Sequence, residues 1–293
     1  ETYTFEQMLT NVMFALAQSK EVSSENICFF DEEVHKKKEF ENFIESNMQQ
    51  ALDSQRFEMV LQPKMDLQTN SVIAAEALVR WRLEDGTYLP PSSFVNIFEK
   101  NRFCSKLDFY MLKKAILQIR EWIDMGMEPV NISVNQSKIV FYHENYISEL
   151  KSLLEKYNVS GSYITLEVLE STVIEDIDMF NSILTEVKKL GFSVSLDDFG
   201  SGYSSLNVLS KLQIDELKID RIFLHTKSEV DNQRTKWILE SIIEIAKKSQ
   251  ILVVVEGVES KQDDLFIKSL GADVGQGYYY SRPLSIDAFN DLI

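Results

Sequence analysis

Short apolar runs alternate with helical repeats along most of this chain. Runs with strand character fall at Glu58–Gln62, Val72–Leu78, Val130–Val134, Tyr163–Val168, Ser193–Leu196, Glu216–Ile219, Leu252–Val255 and Gly277–Tyr280. Between most of them, apolar residues recur three and four positions apart, the spacing of one helix face. Leu112, Ile116, Ile119 and Ile123 form one such set; Ile177, Phe180, Leu184 and Val187 form a second; Ile238, Ile242, Ile245 and Ala246 form a third. Only the short Asp66–Asn70 segment separates the first two runs, so they are expected to pair antiparallel. The remainder reads as repeated βα units. About eight strands in about 240 residues predict an α/β fold, a TIM-like (β/α)8 barrel with one antiparallel strand. An open doubly wound sheet is the alternative.

Ahead of that pattern, Phe5, Leu9, Val12 and Leu16 predict a helix, and Ile27–Asp31 predicts a short strand. One helix and one strand cannot enclose a core. From Phe40, the positions Phe43, Ile44, Met48, Ala51 and Leu52 mark an amphipathic helix leading into the barrel.

Composition narrows the function. With 293 residues, 44% of them hydrophobic and 26% charged, the chain is globular and not disordered. A net charge of −16 argues against a broad basic surface for polymeric nucleic acid. A small anionic ligand would need local cations or bound metal. Two cysteines, Cys28 and Cys104, are too few for a zinc cluster or disulfide framework and fit reduced thiols in a cytosolic setting. No run approaches the ~18 apolar residues of a membrane-spanning helix. No basic segment followed by an apolar one marks a signal peptide, and the start at Glu1 without Met leads to the expectation of a fragment of a longer protein. Membrane contact is then expected only through upstream regions.

The candidate chemistry lies at strand ends. Glu76 is on the second strand, Asn135 follows the third, and Glu167 is near the end of the fourth. Asp197 and Asp198 follow the fifth, Lys218 and Asp220 flank the end of the sixth, Glu256 follows the seventh, and Gln276 opens the eighth. In a TIM barrel such ends converge on one mouth. Apart from Lys218 the set is carboxylates and amides, which suits Mg²⁺ or Mn²⁺ better than zinc or copper. Singly, each acid reads more readily as a solvated strand end or a partner to a surface lysine, and Asp197-Asp198 reads equally well as a solvated turn. Together they demand cations, since like charges about 4 Å apart repel by roughly 4 kcal/mol at an effective dielectric near 20. Arg80 beside Trp81 could be a surface cation–π pair. His35, His143 and His225 stand outside the pattern.

Two of these stretches, Glu76-Ala77-Leu78-Val79-Arg80-Trp81 and Asp197-Asp198-Phe199-Gly200-Ser201-Gly202, resemble the EAL and DDFG-T/S-G motifs of the EAL-domain family. These are bacterial phosphodiesterases of second-messenger signalling that open cyclic di-GMP. Val134-Asn135-Gln136-Ser137, Glu167-Val168-Leu169-Glu170-Ser171, Leu217-Lys218-Ile219-Asp220, Glu256-Gly257-Val258-Glu259 and Gly275-Gln276-Gly277-Tyr278 follow in family order, over roughly Phe57 to Leu284. The family's barrel, too, has one antiparallel strand.

The resemblance implies two Mg²⁺ or Mn²⁺ ions held by Glu76, Asn135, Glu167, Asp197, Asp198 and Glu256, hydrolysing cyclic di-GMP to linear pGpG. Glu76, Asp198, Lys218 and Glu256 become the catalytic set, with Lys218 on the water and phosphate and Glu256 also a candidate general base. Arg80 becomes a phosphate ligand, and Gln62, Leu78, Asp220, Gln276 and Pro283 line the substrate pocket. Glu170 becomes the anchor of the DDFG loop. A homodimer through the barrel is expected, the Asp197–Tyr203 loop bordering its contact. Residues 1–38 resemble the C-terminal remnant of a GGDEF-like domain without its signature (a helical adaptor is the alternative), 39–55 a linker helix, and 56–293 the EAL barrel. Two departures stand out: Leu169 where Thr is usual, and Val255 where Ala is usual. The first puts loop packing in doubt, the second strand packing. The rival functions are a non-catalytic cyclic di-GMP receptor and an interaction scaffold built on Phe40–Leu52.

Overall fold

The structure, a computed structural model, describes residues 4–21, 29–170, 177–200, 206–224 and 229–293. Its centre is a closed barrel. The strands are β1 (Phe57–Asp66), β2 (Val72–Arg82), β3 (Tyr88–Leu89), β4 (Asn131–Gln136), β5 (Ile164–Leu169), β6 (Ser193–Phe199), β7 (Glu216–Ile219), β8 (Leu252–Val255) and β9 (Val274–Gly275). Hydrogen bonding runs β1-β9-β8-β7-β6-β5-β4-β2, and β1 also pairs with β2, so eight strands form a ring with β3 as an outlying hairpin partner of β2. β1 is antiparallel to both its neighbours, and the other ring pairings are parallel. The open-sheet alternative is thereby excluded.

The β1–β2 reversal is made by Asp66. Its carboxylate accepts from the backbone N–H of Gln68 and Thr69, while Asn70 takes a left-handed conformation. Helices cover the outside, and the predicted faces largely hold: Leu112, Ile116 and Ile119 in the Cys104–Asp124 helix and Phe180, Leu184 and Val187 in the Ile177–Lys189 helix are fully buried. In the Glu229–Lys248 helix the buried stripe is Leu239, Ile242, Ile243 and Ala246, one position round from expectation; Ile238 and Ile245 face outward. Val255 is fully buried, with Gly275 on β9 as its ladder partner.

The predicted eighth strand is displaced. Gly277–Tyr280 is a turn, and the ladder is made by Val274–Gly275, so Gln276 follows the last strand instead of opening it. The cause is the Val258 backbone, which passes so close that a Cβ on Gly277 would lie 2.2 Å from Val258 O. The Tyr279 N–H bonds that same carbonyl, and the Tyr280 hydroxyl is drawn to Asp264 at 2.6 Å. An aromatic run after Gly reads as a strand by propensity, but its hydrogen bonds go to a neighbouring loop.

Upstream, one helix runs from Glu32 to Asp53, capped by the Asp31 carboxylate on the N–H groups of Glu33 and Val34. Its Ile44 and Ala51 are buried, fixing its C-terminal half to the barrel. The Phe5–Glu21 helix forms as predicted, but Phe5, Leu9, Val12 and Leu16 are each more than half exposed. Of the predicted strand at Ile27–Asp31, Ile27 and Cys28 lie outside the described residues, and Phe29 to Asp31 form no strand. Among the described residues no helix is long and apolar enough to cross a membrane.

Candidate active site

The parallel strands point their C-terminal ends at one mouth, and the interior residues there are polar. Glu76, Leu78 and Arg80 share one face of β2 by the two-residue period, with Glu76 innermost. Trp81 is on the other face, buried among Phe57, Phe94 and Phe98. The Arg80–Trp81 cation–π alternative therefore fails: Arg80 is half-buried toward the mouth, its Nη1 donating to Val79 O.

Lys218 stands at the centre. Its ammonium, almost fully buried, lies 2.7 Å from Glu256 Oε1, 3.0 Å from Glu167 Oε2, 3.1 Å from Asp197 Oδ1 and 3.3 Å from Glu76 Oε2. Two amides fix the Glu76 carboxylate: Asn135 Nδ2 donates to Oε1 at 3.0 Å and Gln276 Nε2 to Oε2 at 2.6 Å. Gln62 reaches Gln276 at 3.5 Å and the Ser281 carbonyl at 3.3 Å.

Asp197 and Asp198 reach the same mouth by a bulge. Neighbouring side chains on a regular strand point to opposite faces. Here the β6–β7 register breaks between Leu196 and Phe199, and Asp198 adopts φ +55. Asp is one of the few residues that tolerate this left-handed conformation. As a result, carboxylate oxygens of Asp197, Asp198 and Glu256 lie within 4.8 Å of one another. Gly200 follows because a Cβ there would sit 2.1 Å from the Phe223 ring.

The carboxylates of Glu76, Glu167, Asp197, Asp198 and Glu256 crowd around the Lys218 ammonium, and ionising them together is costly. Burial pushes Glu167 up, but Lys218 and Lys64 outweigh it and hold its carboxyl at about 2. Burial raises Glu76, Asp197 and Asp198, with neighbouring carboxylates adding to it and Lys218 opposing it. Glu256 is pushed up to about 8, again by burial, against the pull of Lys218. Lys218 itself is held well above an ordinary lysine, since the four carboxylates outweigh its desolvation. Such a mouth is short of positive charge. Its donors are all oxygens, and that set fits hard divalent cations such as Mg²⁺ or Mn²⁺.

Asp220, Gln276, Glu256 and Glu76 line a cleft of about 370 Å³ at the mouth, with Gln62, Asp198 and Tyr278. The Asp220 side chain caps its own turn by accepting from the Ile222 N–H at 2.8 Å. Leu78 and Pro283 are half-buried, and neither lines this cleft. Glu170 is buried at the end of β5; Ser171 and the Ser201–Ser205 part of the loop it was expected to anchor lie outside the described residues. His35 and His143 lie near Glu39 and Glu149, away from the mouth, and His225 lies outside the described residues.

Sequence reasoning missed two features. One is a mainly apolar cavity of about 480 Å³ beside β2, lined by Leu78, Val95, Leu107, Met111, Asn135 and Leu169 among others. Its wall carries Asp108, whose Oδ2 accepts from the Ser137 N–H at 2.8 Å and the Ser137 hydroxyl at 2.5 Å. Burial raises this carboxyl to about 7 despite both hydrogen bonds. Helical spacing puts Asp108 next to buried Leu107, but nothing in the sequence says that a cavity opens there. The other is Lys64, buried beneath the mouth and bonded to Ser133, Glu167 and Glu216. The strand period offered a signal here, because Lys64 lies two residues from Gln62 and Glu216 two from Lys218.

A closed barrel of this topology with an oxygen-donor mouth defines a (β/α)8 protein with a candidate metal centre. The chain belongs to the EAL domain family, whose pattern it matches over residues 45–283. It is 33% identical over 288 residues to the cyclic di-GMP phosphodiesterase NbdA of Pseudomonas aeruginosa, covering 98% of this chain and 36% of that protein. It is 30% identical over 281 residues to the bifunctional diguanylate cyclase/cyclic di-GMP phosphodiesterase MucR of the same organism, covering 96% of this chain and 41% of that protein. Among solved structures, the PaMucR phosphodiesterase in complex with c-di-GMP superposes with a TM-score of 0.77 at 31% identity, covering 84% of this chain and 99% of that one. The chain thus spans less than half the length of these curated relatives.

Proposed function

We propose that this chain is a metal-dependent phosphodiesterase that hydrolyses cyclic di-GMP to linear pGpG. The observation that carries the reading is the ring of carboxylates around Lys218 at the mouth of an EAL-family barrel. Glu76, Asn135, Glu167, Asp197, Asp198 and Glu256 are the residues that would hold two divalent ions. Bound there, such ions supply a nucleophilic water at neutral pH and stabilise the leaving oxygen of an in-line displacement.

The chain's own groups do the rest. Asn135 and Gln276 lock the Glu76 carboxylate in one plane through its two oxygens. Lys218, held at the centre of the mouth by its carboxylate partners, would present an ammonium to the charge developing on the phosphoryl oxygens. Glu256, ionised beside the bound ions, would be the group to receive the water's proton. Arg80 offers a planar fork to a substrate phosphate. Gln62, Leu78, Asp220 and Pro283 border the nucleotide. The apolar cavity suits one guanine, with the Asp108 carboxylate accepting from its N1–H and exocyclic N–H₂. Glu170 anchors the loop that carries Asp197 and Asp198.

Residues 1–38 are read as the end of an upstream GGDEF-like domain, 39–55 as its linker to the barrel, and 56–293 as the catalytic unit. Any membrane contact would come through regions outside this chain. A homodimer would cover the groove of about 660 Å³ between Phe199, Phe223 and the outward face of the Glu229–Lys248 helix. Trp237 and Ile238, 58% and 52% exposed, are its anchors, and sedimentation of the chain against Trp237→Glu tests this: equal mass would reject it. The activity itself is tested by chromatography of cyclic di-GMP incubated with protein and Mg²⁺ or Mn²⁺, with EDTA as control. Product only with metal is expected. Binding without product would favour a receptor, and neither would leave a scaffold.

A further inference from the structure

Below the mouth the barrel interior stays charged. Because β1 runs against the other strands, Lys64, two residues after Gln62, lies one layer deeper than Gln62. The β1–β2 register breaks between Lys64 and Met65. From β1 the Lys64 side chain crosses the interior to three other strands. Its ammonium meets Ser133 Oγ at 2.7 Å, Glu216 Oε1 at 2.8 Å and Glu167 Oε1 at 2.9 Å. Three protons have three acceptors. Lys64 is 1% exposed.

Glu167 joins the two layers. It is level with Asn135 in the β4–β5 ladder and with Ser195 in the β5–β6 ladder. Its Oε1 is taken by Lys64 from below and its Oε2 by Lys218 from above. We infer that Lys64, balanced by Glu216, is a positioning residue for the metal centre, pinning Oε1 of Glu167 downward and leaving Oε2 turned toward the mouth. The inference rests on the metal-dependent reading above. Filling space does not explain this arrangement: burying an ammonium and two carboxylates costs several kcal/mol per ion before pairing, and apolar side chains would fill the same volume without that cost. An apolar residue cannot, however, hold a carboxylate in one orientation. Partners behind a ligand typically change metal affinity by about 10- to 100-fold.

The test uses the whole chain and Mn²⁺ without substrate, by titration calorimetry. Lys64→Met with Glu216→Leu removes a cation and an anion together, so the net charge at the site is unchanged and no buried charge is stranded on Glu216. This double variant is expected to melt near the wild type, to bind Mn²⁺ about 10-fold more weakly or worse, and to recover most of its kcat at saturating Mn²⁺. That recovery separates a misplaced ligand from a damaged fold. Mn²⁺ affinity equal to the wild type would overturn the positioning role alone. A wild-type chain that takes up no Mn²⁺ would overturn the metal reading with it. Should the double variant not fold, Glu216→Gln alone decides. The remaining amide weakens the counter-pull on Lys64, and Mn²⁺ binding is expected to fall by about 3-fold or more, a fraction of the full outer-partner effect; unchanged binding would overturn the proposal.

Discussion

Two recesses flank β2, and they are built by opposite rules. The cleft at the barrel mouth, about 370 Å³, is walled by Glu76, Asp198, Asp220, Glu256 and two glutamines. The cavity beside it, about 480 Å³, is walled chiefly by apolar side chains and carries the half-buried carboxyl of Asp108 against Ser137. In the first, charge is concentrated until only added cations can balance it. In the second, burial drives one carboxyl up to about 7, with Glu99 at the cavity's edge adding to the rise. A cyclic dinucleotide has the same division, with anionic phosphates and flat, weakly polar bases. The difference teaches that affinity and chemistry can be assigned to separate walls and removed separately.

The largest effect is expected at the mouth. Glu76→Ala should lower turnover by about 10³-fold or more, since a lost metal ligand forfeits several kcal/mol of transition-state stabilisation. The fold should survive. The change strands donors on Asn135 and Gln276, but it also removes a buried carboxylate from a crowded set. Cyclic di-GMP binding, measured by calorimetry, should persist because the cavity is untouched. Hydrolysis at the wild-type rate would contradict the metal assignment, and lost binding would contradict the separation of the two walls.

Next comes Asp108→Asn, which leaves the mouth alone. One acceptor replaces two at the guanine edge, and a charge-assisted bond is worth about 1.5–3 kcal/mol, so KM should rise about 10- to 100-fold with kcat little changed. The pH dependence checks the same group with an opposite sign for stability. Folding raises this carboxyl from 3.8 to about 7. Between those values the folded chain keeps a proton that the unfolded chain releases, so stability falls as pH climbs through the window. The loss is complete above about 7 and has an upper bound of about 4 kcal/mol, less where cavity water solvates the group. Substrate affinity should instead rise over the same window as the carboxylate forms. Denaturant melts and KM profiles of the Asn variant should both be flatter than the wild type, and parallel profiles would reject the assignment.

The contrast also marks what the sequence could reveal. The barrel was legible because apolar runs with strand character, as at Leu252–Val255, recur between helical repeats, and the two-residue period puts Glu76, Leu78 and Arg80 on one face of their strand. The direction of Asp198 was not. An ordinary strand would aim it away from Asp197, and only the bulge with its left-handed backbone brings both to one mouth. The last strand was misplaced because its turn bonds the Val258 backbone, a long-range contact with no local pattern. The apolar cavity was hidden for a similar reason: helix Cys104–Asp124 and the Pro91–Lys100 segment leave space between them, and space has no signature in a sequence.

Leu169 is where the two recesses meet, and its replacement should give the smallest effect. Its side chain lines the apolar cavity, while its backbone is the ladder partner of Asp197. A threonine here would offer a hydroxyl to the loop; the leucine offers apolar surface to the cavity. Leu169→Ala removes that surface from a side chain already partly exposed, a loss of about 1 kcal/mol of apolar burial. It leaves the backbone ladder to Asp197 in place. KM should therefore rise by only a few-fold, while the Mn²⁺ affinity measured without substrate should not move. If Mn²⁺ affinity fell along with KM, the side chain would be helping to hold Asp197, and the two walls would act as one. An unchanged metal constant beside a raised KM would place Leu169 wholly on the base side, with the ladder alone carrying the link between them.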